Sequence, residues 1–431
     1  MEEKVSVGLL GLGVVGSGVI HLIEDHQEKL AHQLGCKVEV DKVLVRNIEK
    51  ARNIDVDQSL LTTNPDDVLE NPNIDLVIEV MGGIDHTKEY ILKAFSNKKH
   101  VVSANKDLVA VHGPELQAAA VKNNCDFYYE ASVAGGIPIL RGINEGLSSD
   151  HIQKIMGIVN GTTNYILTKM DEEGVSYEDA LADAQQLGFA EADPTSDVEG
   201  LDAARKMAIL GRLAFSTPVD LQDVEVEGIH GIELKDLRYA AQLGYTMKLI
   251  GFANFFDHEL EVSVEPTLLA KNHPLASVKN EYNAVYVYGE AVGETMFYGP
   301  GAGSLPTATA ILSDVIAAIK AMRLGVSGKQ LNDMQFPKTL RPKEKQHGQY
   351  YVRLCVEDKT GVFSEISSIF HEQDISFQRI LQTPVDEKDS AEIVLVTHDT
   401  PYSHFEEVLN QLKSFDAVNE IKSYYKVEGD A

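Results

Sequence analysis

The chain has 431 residues, of which 44% are hydrophobic and 24% charged, so it is too long for one ordinary domain and has ample material for a core. Its formal charge of −28, from 66 acidic and 38 basic side chains, disfavours nucleic acid and anionic membranes as partners. No stretch is expected to be long and apolar enough to cross a bilayer, and Glu2-Glu3-Lys4 leads straight into a strand with no room for a signal peptide. Cys36, Cys125 and Cys355 lie far apart without metal-like spacing, which fits core residues in a reducing cytoplasm.

In chain order, the first signal is a β-rich apolar run, Val5–Leu10, that feeds into Gly11-Leu12-Gly13-Val14-Val15-Gly16 and then an apolar helix start. In a G-x-G-x-x-G loop the first glycine permits the tight turn and the second lets the backbone approach a pyrophosphate. The third allows close helix–strand packing, so that phosphates sit at the positive helix N-terminus. Glycine loops also join strands to helices for packing alone. Here the strand-then-helix context points to a dinucleotide and so to an oxidoreductase. A second strand candidate, 38–45, ends at Arg46-Asn47 with Lys50 and Arg52 behind it. A cation at this place suits a 2′-phosphate, and a solvated basic turn is the alternative.

Apolar runs at 74–80, 100–104 and 125–129 alternate with helical stretches such as 114–123. The pattern predicts βαβ units and a doubly wound, Rossmann-like parallel sheet over 1–134. Ligands of such sheets bind beyond the carboxyl ends of the strands, where Gly82, Asn105-Lys106 and Glu130 fall, and Gly82, Ser103 and Lys106 are candidates for contact with the cofactor. From 135 to 299, helical patterns at 160–171, 176–187 and 199–214 mix with strands at 260–264 and 284–288, which reads as an α+β substrate and dimerisation domain. A Gly/Pro-rich turn around Gly303 then opens a long apolar helix, and residues 300–324 are expected to complete the first domain. Residues 325–348 lack an apolar period and read as a linker. Residues 349–431 give strands at 350–356, 376–382, 391–397 and 418–425 around helices at 362–373 and 402–415. That order is βαββαβ, a ferredoxin-like split sandwich.

Lys106 and Lys206 stand out chemically. Lys106 follows a buried strand at the edge where nicotinamide and substrate should meet, or it is a solvated loop cation. Lys206 lies on a helix rich in small and apolar residues, one turn after Asp202, so the two share a face. Such a pair is usually a weak surface bridge, and the apolar flanks argue here for a cleft. Upstream, Glu191, Asp193 and Asp197 lie in a Gly/Pro-punctuated loop and with Asp202 would form an acidic wall suited to an ammonium group. A calcium-like site or plain solvation is the alternative. Acids together with lysines suit a zwitterionic amino acid bearing a reacting alcohol or carbonyl.

On these residues the sequence resembles homoserine dehydrogenases of the long bacterial type with a C-terminal ACT domain. The likeness covers nearly the whole chain. Its marks are the N-terminal glycine loop, Ser103–Lys106, Glu130–Pro138, Gly157–Asn164, Gly188–Pro194, Gly200–Lys206 and Gly299–Gly303. It implies reversible NAD(P)H-dependent reduction of L-aspartate 4-semialdehyde to L-homoserine, in threonine, methionine and isoleucine biosynthesis, and the cation at Arg46 favours NADP over NAD. Lys206 is then the proton donor to the carbonyl oxygen, since hydride arriving at the aldehyde carbon leaves an alkoxide that an ammonium can stabilise and protonate. Asp202 aims Lys206. Lys106 assists near the nicotinamide. Glu191, Asp197 and Asp202 hold the substrate, while Gly188 and Gly303 approach the cofactor. The likeness also implies a sodium ion on the Glu130 carboxylate and the carbonyls of Val133, Gly135 and Ile137, hard oxygen ligands of a suitable kind. In the ACT-like unit, the turn holding Asp358 and Gly361 would receive an amino-acid effector, threonine being the natural choice, and the chain is expected to form a dimer or tetramer.

Two other readings remain: a dehydrogenase of the same architecture acting on another amino-acid carbonyl, and an NAD(P)-sensing regulator, against which the lysines and acids argue. A chain ending near Gln330 is expected to keep its core and some activity.

Overall fold

The computed structural model describes residues 4–52, 54–329, 334–384 and 390–429. Two compact units emerge. One comprises Met1–Ile155, Ala204–Val224 and Asn283–Lys338, and the other Met156–Ala203, Glu225–Tyr282 and Thr339–Ala431.

In the first unit, strands β1 (Lys4–Leu10), β2 (Lys37–Leu44), β3 (Leu61–Thr62), β4 (Leu76–Glu79), β5 (His100–Ser103) and β6 (Phe127–Tyr128) form one sheet in the order β3-β2-β1-β4-β5-β6. Every pairing in it is parallel. The strand order reverses between β1 and β4, which opens a crevice at their carboxyl ends. The strands read as nearly unbroken apolar runs because both faces are covered. Val7, Leu9, Val38, Leu76 and Ile78 share one core with Val19 and Ile23 of the helix Val14–Asp25 and with Ile311, Val315 and Ile319 of the helix Ser304–Leu324.

That last helix corrects the expectation that no segment has bilayer-spanning length. Its 21 residues are long and apolar enough to cross a membrane. The apolarity has a packing cause, since Ala308, Ile311, Val315 and Ile319 lie in the core and the helix carries the buried carboxylate of Asp314. A second difference lies at Pro114, expected near a helix start. The helix runs Lys106–Lys122 with Pro114 inside it.

In the second unit, β7 (Tyr245–Phe256), β8 (Glu259–Ala270), β9 (His347–Glu357), β10 (Phe377–Pro384), β11 (Ser390–Thr397) and β12 (Val418–Glu428) run in the order β7-β8-β12-β9-β11-β10. The 350–425 region has the expected βαββαβ order, with helices Val362–Glu372 and Tyr402–Lys413. Alternate residues of β9 divide its labour. Tyr350, Val352, Leu354 and Val356 pack with Ile366, Phe370, Phe405 and Leu412 of these helices, whereas Tyr351 and Arg353 turn the other way.

Their partner on that other side is the helix Leu234–Gln242. Arg353, 1% exposed, donates from Nε to Asp236 (2.8 Å) and from Nη2 to Glu233 (2.7 Å), and it meets Glu392 at 3.3 Å. Asp236 also accepts from Tyr351 (3.1 Å) and Ser423 (2.6 Å). Burial by itself would weaken the Arg353 charge, and the Asp236 and Glu233 carboxylates outweigh it, so the guanidinium is held protonated. Beyond this cluster, β12 pairs in parallel with β8 from Thr267↔Lys426 to Leu269↔Glu428.

The expected linker is correspondingly tied down on its C-terminal side. Leu260 N donates to the Thr339 carbonyl (2.8 Å) and Arg341 N to the Leu260 carbonyl (2.7 Å). Gln330, the expected truncation point, lies outside the described residues. The strands Ile152–Ile158 and Gly293–Pro300 and most of β7 had no clear alternation to announce them.

Candidate active site

The glycine loop has the geometry that each of its residues implies. Gly11 has φ +104°, its N–H donates to the Leu44 carbonyl at 3.0 Å, and a Cβ there would lie 2.9 Å from the Val80 carbonyl oxygen. A Cβ at Gly16 would lie 2.5 Å from the Gly11 oxygen, so the helix could not sit this close with any other residue. Gly13 is different. A Cβ there meets nothing within 4 Å, and as the N-cap of the 14–25 helix it offers no side-chain cap. The backbone is thus exposed at a helix N-terminus, which fits a phosphate. Val14 is exposed and Leu12 and Val15 are partly so. Ser304 Oγ donates to the Val14 carbonyl at 2.7 Å, which brings the Gly303 turn (φ +123°) to the loop. Arg46 is exposed just past β2, two residues from the carbonyl that holds Gly11. Arg52, in contrast, is folded onto the carbonyls of Asn47, Ile48 and Lys50.

At the ends of β4 and β5 the site is locked by a residue that sequence reading passed over. Glu79 is fully buried, accepts from Ser103 Oγ (2.6 Å) and takes the N–H groups of Met81 (2.9 Å) and Gly82 (3.1 Å). Burial pushes its carboxyl above the usual range against these donors. Ser103 Oγ in turn accepts from Asn105 N (3.1 Å), and the Asn105 side chain donates to the Gly83 carbonyl (2.7 Å). Ser103 therefore orients the strand end, and Gly82, exposed at φ +72°, carries the open backbone.

Asn105 caps the helix that begins at Lys106, accepting from Leu108 N at 3.1 Å. A lysine at the first helical position opposes the helix dipole, so helix stability does not explain it. Asp107 follows and pairs with Arg205 at 2.8 Å. Further along the same helix as Arg205, Arg212 donates to the carbonyls of Val109 (3.1 Å) and Ala110 (2.8 Å) and also to Val219 (2.7 Å). These two arginines fasten the helix that begins with Lys106 to the helix Leu201–Phe215, which carries Lys206 next to Arg205. Lys206 is 9% exposed and Lys106 intermediate. Neither arginine was legible as a fastener, because both partners lie about a hundred positions away.

Glu130 is 4% exposed, and its two oxygens accept the N–H groups of Leu140 and Arg141 at 2.8 Å each. Its own N–H donates to Asp314, which pairs with Arg141 at 2.8 Å. Burial, more than the neighbouring Glu130 charge, pushes the Asp314 carboxyl up to about 7. Between them, Ala134 and Gly135 both have positive φ (+54° and +53°), which turns successive carbonyls of the 133–137 segment. A Cβ at Gly135 would lie 2.3 Å from the Gly301 oxygen, and the Ile137 carbonyl accepts from Ile139 N at 2.8 Å. Among the described residues no group of three or more His, Cys, Asp or Glu side chains is placed to hold a metal.

In the second unit, the acidic segment lies beside the helix Gly161–Glu173. Glu191 and Asp193 are exposed, Asp197 is intermediate and Asp202 is 4% exposed. The Asn160 side-chain nitrogen donates to both Asp197 (2.7 Å) and Asp202 (2.9 Å). Thr162 Oγ1 donates to the Phe189 carbonyl at 2.7 Å, next to the exposed Gly188 (φ +80°). In the C-terminal region, Asp358 is exposed, and Gly361 (φ +100°) caps the 362–372 helix.

The homoserine dehydrogenase family profile matches residues 138–316, the homoserine dehydrogenase NAD-binding profile matches 11–130, and the ACT domain profile matches 350–417. Homoserine dehydrogenase of Bacillus subtilis is 58% identical over 429 residues, spanning 99% of each chain. The solved homoserine dehydrogenase from Thiobacillus denitrificans has a TM-score of 0.92 at 37% identity, covering 99% of this chain and 98% of its own. A hyperthermophilic archaeal homoserine dehydrogenase in complex with NADPH has a TM-score of 0.62 at 26% identity, covering 73% of this chain and 97% of its own. The chain therefore belongs to the homoserine dehydrogenase family, NAD(P)-dependent oxidoreductases that interconvert L-aspartate 4-semialdehyde and L-homoserine.

Proposed function

We propose that Lys206 is the proton donor of this reaction. The observation that carries the reading is a lysine only 9% exposed, on a helix fastened by Arg205 and Arg212 to the helix that begins with Lys106. NAD(P)H held on the glycine loop supplies the hydride. The Lys206 ammonium stabilises the negative charge that develops on the substrate oxygen and passes a proton to it, while Lys106 adds positive charge at the reacting centre. Glu191, Asp197 and Asp202 bind the substrate, Glu191 through its ammonium. Lys206→Ala with near-normal cofactor affinity and lost turnover is the test.

Several finer assignments belong to the same reading. Exposed Arg46 supports NADP over NAD, as a cation for the 2′-phosphate. One carboxylate and the carbonyls of Val133, Gly135 and Ile137 are hard oxygen donors on a tight turn, a set that fits sodium. Exchange of sodium for a bulky organic cation, read by both activity and melting temperature, tests that site. Residues 1–134 with 300–324 form the nucleotide domain, 135–299 the substrate domain and 349–431 the ACT domain, joined by 325–348. The turn at Asp358 and Gly361 receives an amino-acid effector, threonine being our choice. Val292, Met296 and Tyr298, exposed on the hairpin 282–300, support a homo-oligomer. The chain works in the cytoplasm on the route to threonine, methionine and isoleucine.

A further inference from the structure

We infer that Asn160 is a positioning residue for substrate binding, its side-chain amide setting the orientation of two carboxylates at once. The inference rests on the reading of Asp197 and Asp202 as substrate-binding groups.

Asn160 is 5% exposed and terminates the loop before the helix Gly161–Glu173. Its two amide atoms have separate duties. The oxygen accepts from Thr163 N (2.9 Å) and from Thr163 Oγ1 (3.0 Å), which is a helix N-cap. That assignment fixes the amide's direction, because the oxygen is committed to the helix. The nitrogen must then face the other way, and its two hydrogens go to Asp197 Oδ1 (2.7 Å) and Asp202 Oδ2 (2.9 Å).

Two carboxylates within reach of one nitrogen repel each other and, left alone, would rotate apart or share a proton. A neutral donor bonded to one oxygen of each removes that freedom without cancelling either charge. A lysine or arginine in the same place would neutralise them and compete with a substrate ammonium. The segment that carries Asp197 and Asp202 is thereby tied to a helix cap.

The cap and the bridge can be separated by substitution. Serine and aspartate both cap helices about as well as asparagine, and neither supplies the amide hydrogens. Asn160→Ser keeps the cap and loses the bridge, and Asn160→Asp keeps the cap and adds a third like charge. With the full-length enzyme assayed in the homoserine-oxidising direction, we expect the KM for L-homoserine to rise about threefold or more in Asn160→Ser. In Asn160→Asp it should rise about tenfold or more, the scale of a lost charge-assisted hydrogen bond. The KM for NADP should stay within about twofold of the parent value. Substrate KM values at the parent level in both variants overturn the inference, and so does a fall in melting temperature with kcat reduced and both KM values unchanged, which is the mark of a cap alone. Asp197→Asn and Asp202→Asn are measured alongside. If neither of these alters homoserine binding, the substrate reading itself fails. If they do and the Asn160 variants do not, only the positioning role fails.

Discussion

The second unit gathers carboxylates in two places and treats them in opposite ways. Around Arg353, the side chains of Asp236, Glu233 and Glu392 meet a guanidinium, the Lys235 ammonium and several hydroxyls. Asp236 is fully buried and Arg353 nearly so. Around Asn160, Asp197 and Asp202 share one neutral amide, and Glu191 and Asp193 lie exposed. The first cluster is centred on the buried side chains of Asp236, Arg353 and Glu392, with Glu233 and Lys235 at its half-exposed edge, which suits a joint between the 234–242 helix and strands β9, β11 and β12. The second is oriented by a neutral amide, and we read it as a site for a cationic group. A gathering of carboxylates therefore does not by itself define a purpose. What separates the two is the group that bridges the carboxylates, a guanidinium in the first and a neutral amide in the second.

The sharpest way to break the comparison is at the joint around Arg353. Arg353→Ala leaves Asp236 buried without its counter-charge, and breaking a buried pair of this kind costs about 3–5 kcal/mol. Denaturant unfolding should register that loss, and a change below about 1 kcal/mol would mean the cluster is solvated and the contrast is lost. The same joint revises the expectation for a chain ending near Gln330. Truncation there strips β8 of its parallel neighbour β12 and leaves Asp236 with none of Arg353, Tyr351 and Ser423, so we now expect a poorly soluble product.

Lys206→Ala probes the open side of the comparison. Loss of the proton donor should lower kcat roughly a hundredfold or more with little change in cofactor affinity. Turnover above about a tenth of the parent rate sinks the assignment. Next in size is Arg46→Ala, where a lost charge-assisted bond of about 1.5–3 kcal/mol raises the KM for NADPH roughly ten- to a hundredfold and spares that for NADH. Equal effects on both cofactors would reduce Arg46 to shaping its loop. The smallest effect belongs to Asp107→Asn. Its pair with Arg205 is partly exposed, so stability should fall by only about 0.2–1 kcal/mol, and that by less at high salt. Its value is diagnostic, because a loss of turnover without a loss of stability would tie the Asp107–Arg205 fastening to placement of the lysines.

Local sequence determined a large part of this protein. The G-x-G-x-x-G loop, five of the six parallel strands of the first unit (all but Leu61–Thr62) and the βαββαβ order of residues 350–425 follow from short-range pattern, since glycine geometry and hydrophobic periodicity act over a few residues. Lys106, Lys206, Asp202 and the acidic 191–197 segment were equally legible as unusual charge in apolar or glycine-rich surroundings. Long-range contacts decided the rest. Glu79 looked like the end of an apolar strand until Ser103, 24 positions on, bonded to it. The reach of Arg212 to Val109 spans 103 positions, and that of Arg353 to Asp236 spans 117. Asn160 read as one polar residue in a helix-start motif, and its second duty exists only because Asp197 and Asp202 fold back onto its amide. A side chain's partners across such separations are set by how strands and helices pack, and no local period records them.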